Sequence, residues 1–90
     1  MDHREQVFII VAFESTHDAI KSETLTGRES IASRLIPIPP EVSAGCGLAL
    51  RIEPEAEPLV RRILSEANVH GSYFLLRRDG IKRTVESLEK

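Results

Sequence analysis

Seven consecutive apolar residues, Val7 to Phe13 (Val-Phe-Ile-Ile-Val-Ala-Phe), constrain this chain more than any other stretch. A half-exposed strand or an amphipathic helix would interrupt such a run with polar positions. Consecutive β-branched and aromatic residues suit a strand covered on both faces. The run is too short for a membrane-spanning helix, which needs roughly 20 apolar residues. Asp2 and Glu5 precede it where a targeting segment would carry basic residues. The expectation is a central strand of a sheet, in a protein with no membrane segment and no targeting leader.

Ninety residues are enough for one domain, and the 27 Val, Ile, Leu and Phe side chains can build one core for it, so residues 1–90 are read as a single unit. Twelve Lys and Arg against fourteen Asp and Glu give a net charge of -2, which excludes the concentrated positive field of a general nucleic-acid binder. Cys46 is the only cysteine, so no intramolecular disulfide forms and a reducing, cytoplasmic compartment is expected.

After the apolar strand, Ser15 stands where a helix cap belongs, with Asp18 three residues on. The helix is expected to run to Thr26 and stop near Gly27, with Ala19, Ile20 and Leu25 as its apolar stripe. Ser33 to Ile38 reads as a second strand whose exit is stiffened by Pro37, Pro39 and Pro40, which hold the following loop out from the sheet. Ser43-Ala44-Gly45-Cys46-Gly47 is a small-residue loop, and Leu48 to Ile52 is a third strand with Arg51 facing away from Leu50 and Ile52. Pro54 and Pro58 fit only near a helix start. Ala56, Leu59, Val60, Ile63, Leu64 and Ala67 then form the clearest helical stripe in the chain. Gly71 to Arg77 is a fourth strand, Asp79-Gly80 suits a tight hairpin, and Ile81 to Val85 returns as a short edge strand.

Strand, helix, strand, strand, helix, strand is the ferredoxin-like βαββαβ order: an α+β fold with an antiparallel sheet, two helices on one face and room for an extra C-terminal hairpin strand. It places the third strand between the first two and brings the exits of strands one and two to the same end. Ser15, Thr16, His17, the Cys46 loop and His70 therefore converge there, although far apart in sequence.

Gly45 and Gly47 flank Cys46, leaving its sulfur unscreened and letting successive backbone amides turn toward an anion. The helix start at Ser15 and Thr16 adds unpaired N–H groups that favour a thiolate, and His17 has the chemistry for proton exchange with a thiol. The competing reading is plain: a lone cysteine is most often a small buried hydrophobe, Ser15 and Thr16 are caps, and His17 is solvated surface. A single cysteine cannot supply the Cys-x-x-Cys pair of a zinc or copper site, so no metal is expected. No P-loop or dinucleotide-binding glycine pattern is present, so no cofactor is expected. Arg61, Arg62, Arg77, Arg78, Lys82 and Arg83 make the C-terminal half basic. With only Tyr73 and Phe74 as aromatics, this half reads as a solvated face or a docking surface for an acidic protein, not a nucleic-acid site.

Three stretches taken together, Ser15-Thr16-His17-Asp18-Ala19, Arg34-Leu35-Ile36-Pro37-Ile38-Pro39 and Ser43-Ala44-Gly45-Cys46-Gly47-Leu48-Ala49-Leu50, resemble the family of small bacterial domains described as selenium/sulfur-carrier-like proteins. The resemblance implies a cysteine-centred role in which Cys46 holds a persulfide or a selenium adduct, with sulfur or selenium donor and acceptor proteins as partners. Ser15, Thr16, His17, Gly45 and Gly47 would form its surroundings. The residues themselves also allow a second class, a small-anion-binding or regulatory module in which the glycine loop and helix start bind through backbone amides and Cys46 is incidental.

Overall fold

A computed structural model of the chain describes residues 5–42 and 45–89. Five strands form one antiparallel sheet in the order β2-β3-β1-β4-β5, from β1 (Gln6–Phe13), β2 (Ser33–Pro37), β3 (Leu48–Ile52), β4 (Gly71–Asp79) and β5 (Lys82–Ser87). The helices are α1 (Thr16–Arg28) and α2 (Glu57–Glu66), the latter entered through a short 3-10 turn, Pro54–Ala56. No helix among the described residues is long and apolar enough to cross a membrane.

The apolar run occupies the centre of the sheet, with β3 and β4 on either side, and Ile9 through Phe13 are all buried. Alternation splits it between two layers. Ile9, Val11 and Phe13 join Leu50, Ile52 and Tyr73 against Ala19 of α1 and Val60 and Leu64 of α2. Ile10 lies on the opposite face with Ala49 and Leu76. Both helices thus cover one face, and β3 separates β1 from β2 as expected.

The first helix departs from its sequence reading. Its buried positions are Ala19, Ser22 and Thr26, spaced i, i+3, i+7, which leaves Ile20 turned outward and 51% exposed. The two buried hydroxyls are satisfied at once: Ser22 donates to the Ala19 carbonyl (2.7 Å), and Thr26 bonds the Ser22 carbonyl (3.0 Å) and the Ser33 hydroxyl (2.8 Å), tying α1 to β2. Gly27 does not end the helix. Ser30 does, at φ 59°, with Ile31 N–H donating to Thr26 O and Ser30 N–H to Gly27 O, the paired bonds of a Schellman cap. Asn68, also at φ 59°, closes α2 with the same pair of bonds, from Val69 to Leu64 and from Asn68 to Ser65.

The prolines also act otherwise than expected. Pro37 is still in β2, an edge strand, and costs no ladder bond: Ile38 N–H donates to Gly47 O (3.0 Å), so the neighbouring Pro37–Leu48 pair is the non-hydrogen-bonded kind. The chain then folds back over the face that lacks helices. Pro39 and Val42 are buried, Ile38 packs against the Ile10–Ala49–Leu76 cluster, and Glu41 pairs with Arg83 of β5 (3.0 Å). Burial of apolar surface holds this strap down, where stiffness alone would have held it away. The hairpin after β4 turns through Gly80 at φ 65°, and β5 is longer than read, running to Ser87.

Candidate functional site

The β1 and β2 strands both run antiparallel to β3, so their exits lie at one end of the sheet; Phe13 pairs with Gly71, which brings His70 to that end too. Ser15 caps α1 as its sequence position suggested, its hydroxyl accepting from Asp18 N–H (3.1 Å). Thr16 and His17 in the first turn are exposed. Ser43 and Ala44 of the cysteine loop lie outside the described residues.

Gly45 is where this loop meets the exit of β1. A Cβ on Gly45 would lie 3.0 Å from the Glu14 carbonyl oxygen and 3.4 Å from Glu14 Oε1, so a residue with a side chain would have to push the two segments apart. The contact sets the Cys46 loop directly before the α1 cap. It also puts a carboxylate beside the loop, offsetting part of the positive field that the helix start supplies.

Cys46 is half-buried and packs against the helix-side core. Its sulfur is held by the backbone of one residue, through both of its polar groups: Sγ–H donates to Leu48 O (3.1 Å) and Leu48 N–H donates to Sγ (3.3 Å). The β1–β3 ladder explains the arrangement. Its last pair is Ala12 with Ala49, so Leu48 stands one step beyond, where it would have faced Phe13. Cys46 serves the amide and carbonyl that the ladder leaves open. Gly47, between the two, takes φ 77°, which lets the chain double back within two residues.

Among the described residues no hydrogen bond joins Cys46 to Ser15, Thr16 or His17; the structure brings the loop and the helix start side by side through Gly45 and Glu14. Sequence reasoning missed Glu14 and the backbone of Leu48. Glu14 was within reach of a reading, since it lies between the apolar strand and its cap. The Leu48 contact depends on where the ladder stops, which no local pattern records. No group of three His, Cys, Asp or Glu side chains among the described residues is placed to hold a metal ion.

Fold and site together define a small α+β protein whose one cysteine is gripped at the end of its central strands. Residues 8–75 match the family model described as "Putative Se/S carrier protein-like", and the chain belongs to that family. No curated protein and no solved structure matches it.

Proposed function

We propose that Cys46 is the carrying atom of a sulfur or selenium carrier, and that the sheet is a ferredoxin-like βαββαβ arrangement with β5 added outside β4. The observation that carries the reading is the sulfur's position. The chain's sole cysteine lies within the family-matched stretch, half-buried between two glycines, with the Leu48 N–H aimed at Sγ.

In the step proposed, the Cys46 thiolate attacks the outer sulfur of a donor protein's persulfide. The donor's S–S bond breaks, the donor leaves as a thiolate, and Cys46 holds the new S–S bond. Delivery is the same exchange in reverse, with an acceptor's thiolate attacking the terminal atom. No electrons enter or leave, so no redox cofactor is required. The Ser15–Thr16–His17 helix start, Gly45 and Gly47 are the surroundings proposed for the loaded atom. Donor and acceptor proteins are the partners. The reading is tested by treating the chain with a cysteine desulfurase and cysteine, removing both, and measuring the sulfide released by a thiol reductant. The wild type releases sulfide equivalent to the protein and Cys46→Ser releases none; equal release from both would refute it.

A further inference from the structure

The helix-free face of the sheet carries arginines in an arrangement that stability alone disfavours. Register sets Arg34 of β2 directly opposite Arg51 of β3, and Arg78 of β4 directly opposite Arg83 of β5. Like charges facing each other across strands repel, and here two such pairs flank the apolar middle of the same face. Between them lies a groove of about 130 Å³, floored by Phe8, Ile10 and Leu76 and rimmed by Arg51, Arg78 and Arg83, with no acidic residue in its lining. Among the described residues Arg34 and Arg78 have no carboxylate partner. Arg51 lies over the Phe8 ring, its guanidinium carbon 4.5 Å from the centroid.

The face already shows how it takes a carboxylate. Arg83 holds Glu41 through two parallel bonds, Nε to Oε2 (3.1 Å) and Nη2 to Oε1 (3.0 Å), the fork geometry in which arginine recognises carboxylates. Glu41 belongs to the strap that crosses this face on its way to Cys46. We propose that the groove docks an acidic segment of a partner protein, one bearing carboxylates beside an apolar side chain, and that its carboxylates displace Glu41 from Arg83. Charge complementarity selects this occupant: among the described residues Arg51 and Arg78 of the rim have no carboxylate partner, Arg83 has only Glu41, and the floor supplies apolar surface. Nucleic acid fits less well, because Phe8 is already covered by Arg51 and no ring is free on the floor to stack a base. The site goes beyond the carrier reading and does not depend on it, lying on the face opposite the core that Cys46 packs against.

The test uses the full chain and a fluorescently labelled peptide of alternating glutamate and leucine, read by anisotropy, with a single-stranded oligonucleotide of equal charge in parallel. The wild type binds the peptide in preference to the oligonucleotide. Arg51→Gln/Arg78→Gln weakens peptide binding by about tenfold or more, the loss of two carboxylate contacts. Glu41→Gln strengthens it by removing the internal competitor, and Cys46→Ser leaves it unchanged. Amide chemical shifts report that each variant is folded, and Arg78→Gln alone gives the same direction if the double variant is not. Equal binding by wild type and Arg78→Gln, no gain with Glu41→Gln, or tighter binding of the oligonucleotide each overturns the proposal. Sulfur loading is measured on the same samples, so failure at the groove and failure at Cys46 are read separately.

Discussion

Replacing Gly71 by alanine adds one methyl group at a place where the fold has no room for it. Gly71 opens β4 opposite Phe13, and a Cβ there would lie 2.5 Å from Val11 Cγ1, 3.1 Å from Phe13 Cε1 and 3.3 Å from Ala12 O. Carbon atoms in contact normally sit about 3.5–4.0 Å apart, so Val11 would have to retreat by about 1 Å. It has nowhere to go, since Val11 and Phe13 are fully buried in the centre of the helix-side core. Overpacking of this kind costs about 1–3 kcal/mol. Alanine offsets about 0.4–1 kcal/mol of that by restricting the unfolded chain, leaving a net loss of about 1.3 kcal/mol at the middle of the two ranges. At about 4–8 °C per kcal/mol for a domain of this size, the melting temperature falls by about 5–10 °C. The internal control is Gly27→Ala, on the exposed side of α1 with nothing within 4 Å, which gains about 0.5–1 kcal/mol from helix propensity. Thermal unfolding followed by circular dichroism reads both. A Gly71→Ala variant that melts at or above the parent, or two variants that shift in the same direction, would refute the packing argument.

Three further outcomes are expected. Thr26→Val keeps the shape but leaves the Ser33 hydroxyl without its partner, so chemical denaturation should show a loss of about 1–2 kcal/mol, and an unchanged midpoint would contradict that hydrogen bond. Ser15→Ala removes the α1 cap at a cost of about 1 kcal/mol, measured in the same way, and a neutral effect would show that Asp18 N–H finds another acceptor. Burial pushes the ionisation of Tyr73, the only tyrosine, up to about 12, against a weaker downward pull from Arg61, which stacks 4.0 Å over its ring. The folded value lies above the unfolded one, so the neutral ring's contribution is complete below about pH 10 and is lost as pH rises toward 12. Tyrosinate absorbance should therefore appear together with loss of the fold, and reversible ionisation near pH 10 in an intact fold would contradict it.

The parts of this fold that sequence made legible are those decided by neighbours along the chain. The Val7 to Phe13 run reads as a central strand and is one, β3 begins and ends at Leu48 and Ile52 as read, and of the stripe from Ala56 to Ala67 the structure buries Val60 and Leu64 but leaves Leu59 exposed. The errors fall where a distant surface decides. Ile20 looks like a core residue until the sheet selects Ala19, Ser22 and Thr26, because small hydroxylated residues let α1 sit close while bonding their own helix carbonyls. Pro39 and Pro40 look like spacers, but the apolar face formed by Ile10, Ala49 and Leu76 draws the strap back over itself. At the site, the Ser15 cap and the glycines beside Cys46 were visible. The Leu48 grip on sulfur and the opposed arginine pairs were not, since both depend on strand register.

The central claim is that Cys46 carries the cargo atom. It is tested most directly by intact-mass analysis of the full chain after incubation with a cysteine desulfurase and cysteine, followed by fragmentation to locate any added mass. The expected result is the mass of one additional sulfur atom, placed on the peptide containing Cys46, absent from Cys46→Ser and removed when an acceptor thiol is supplied. An unmodified mass under conditions in which the desulfurase is itself loaded, or sulfur found equally on the Cys46→Ser chain, would contradict it.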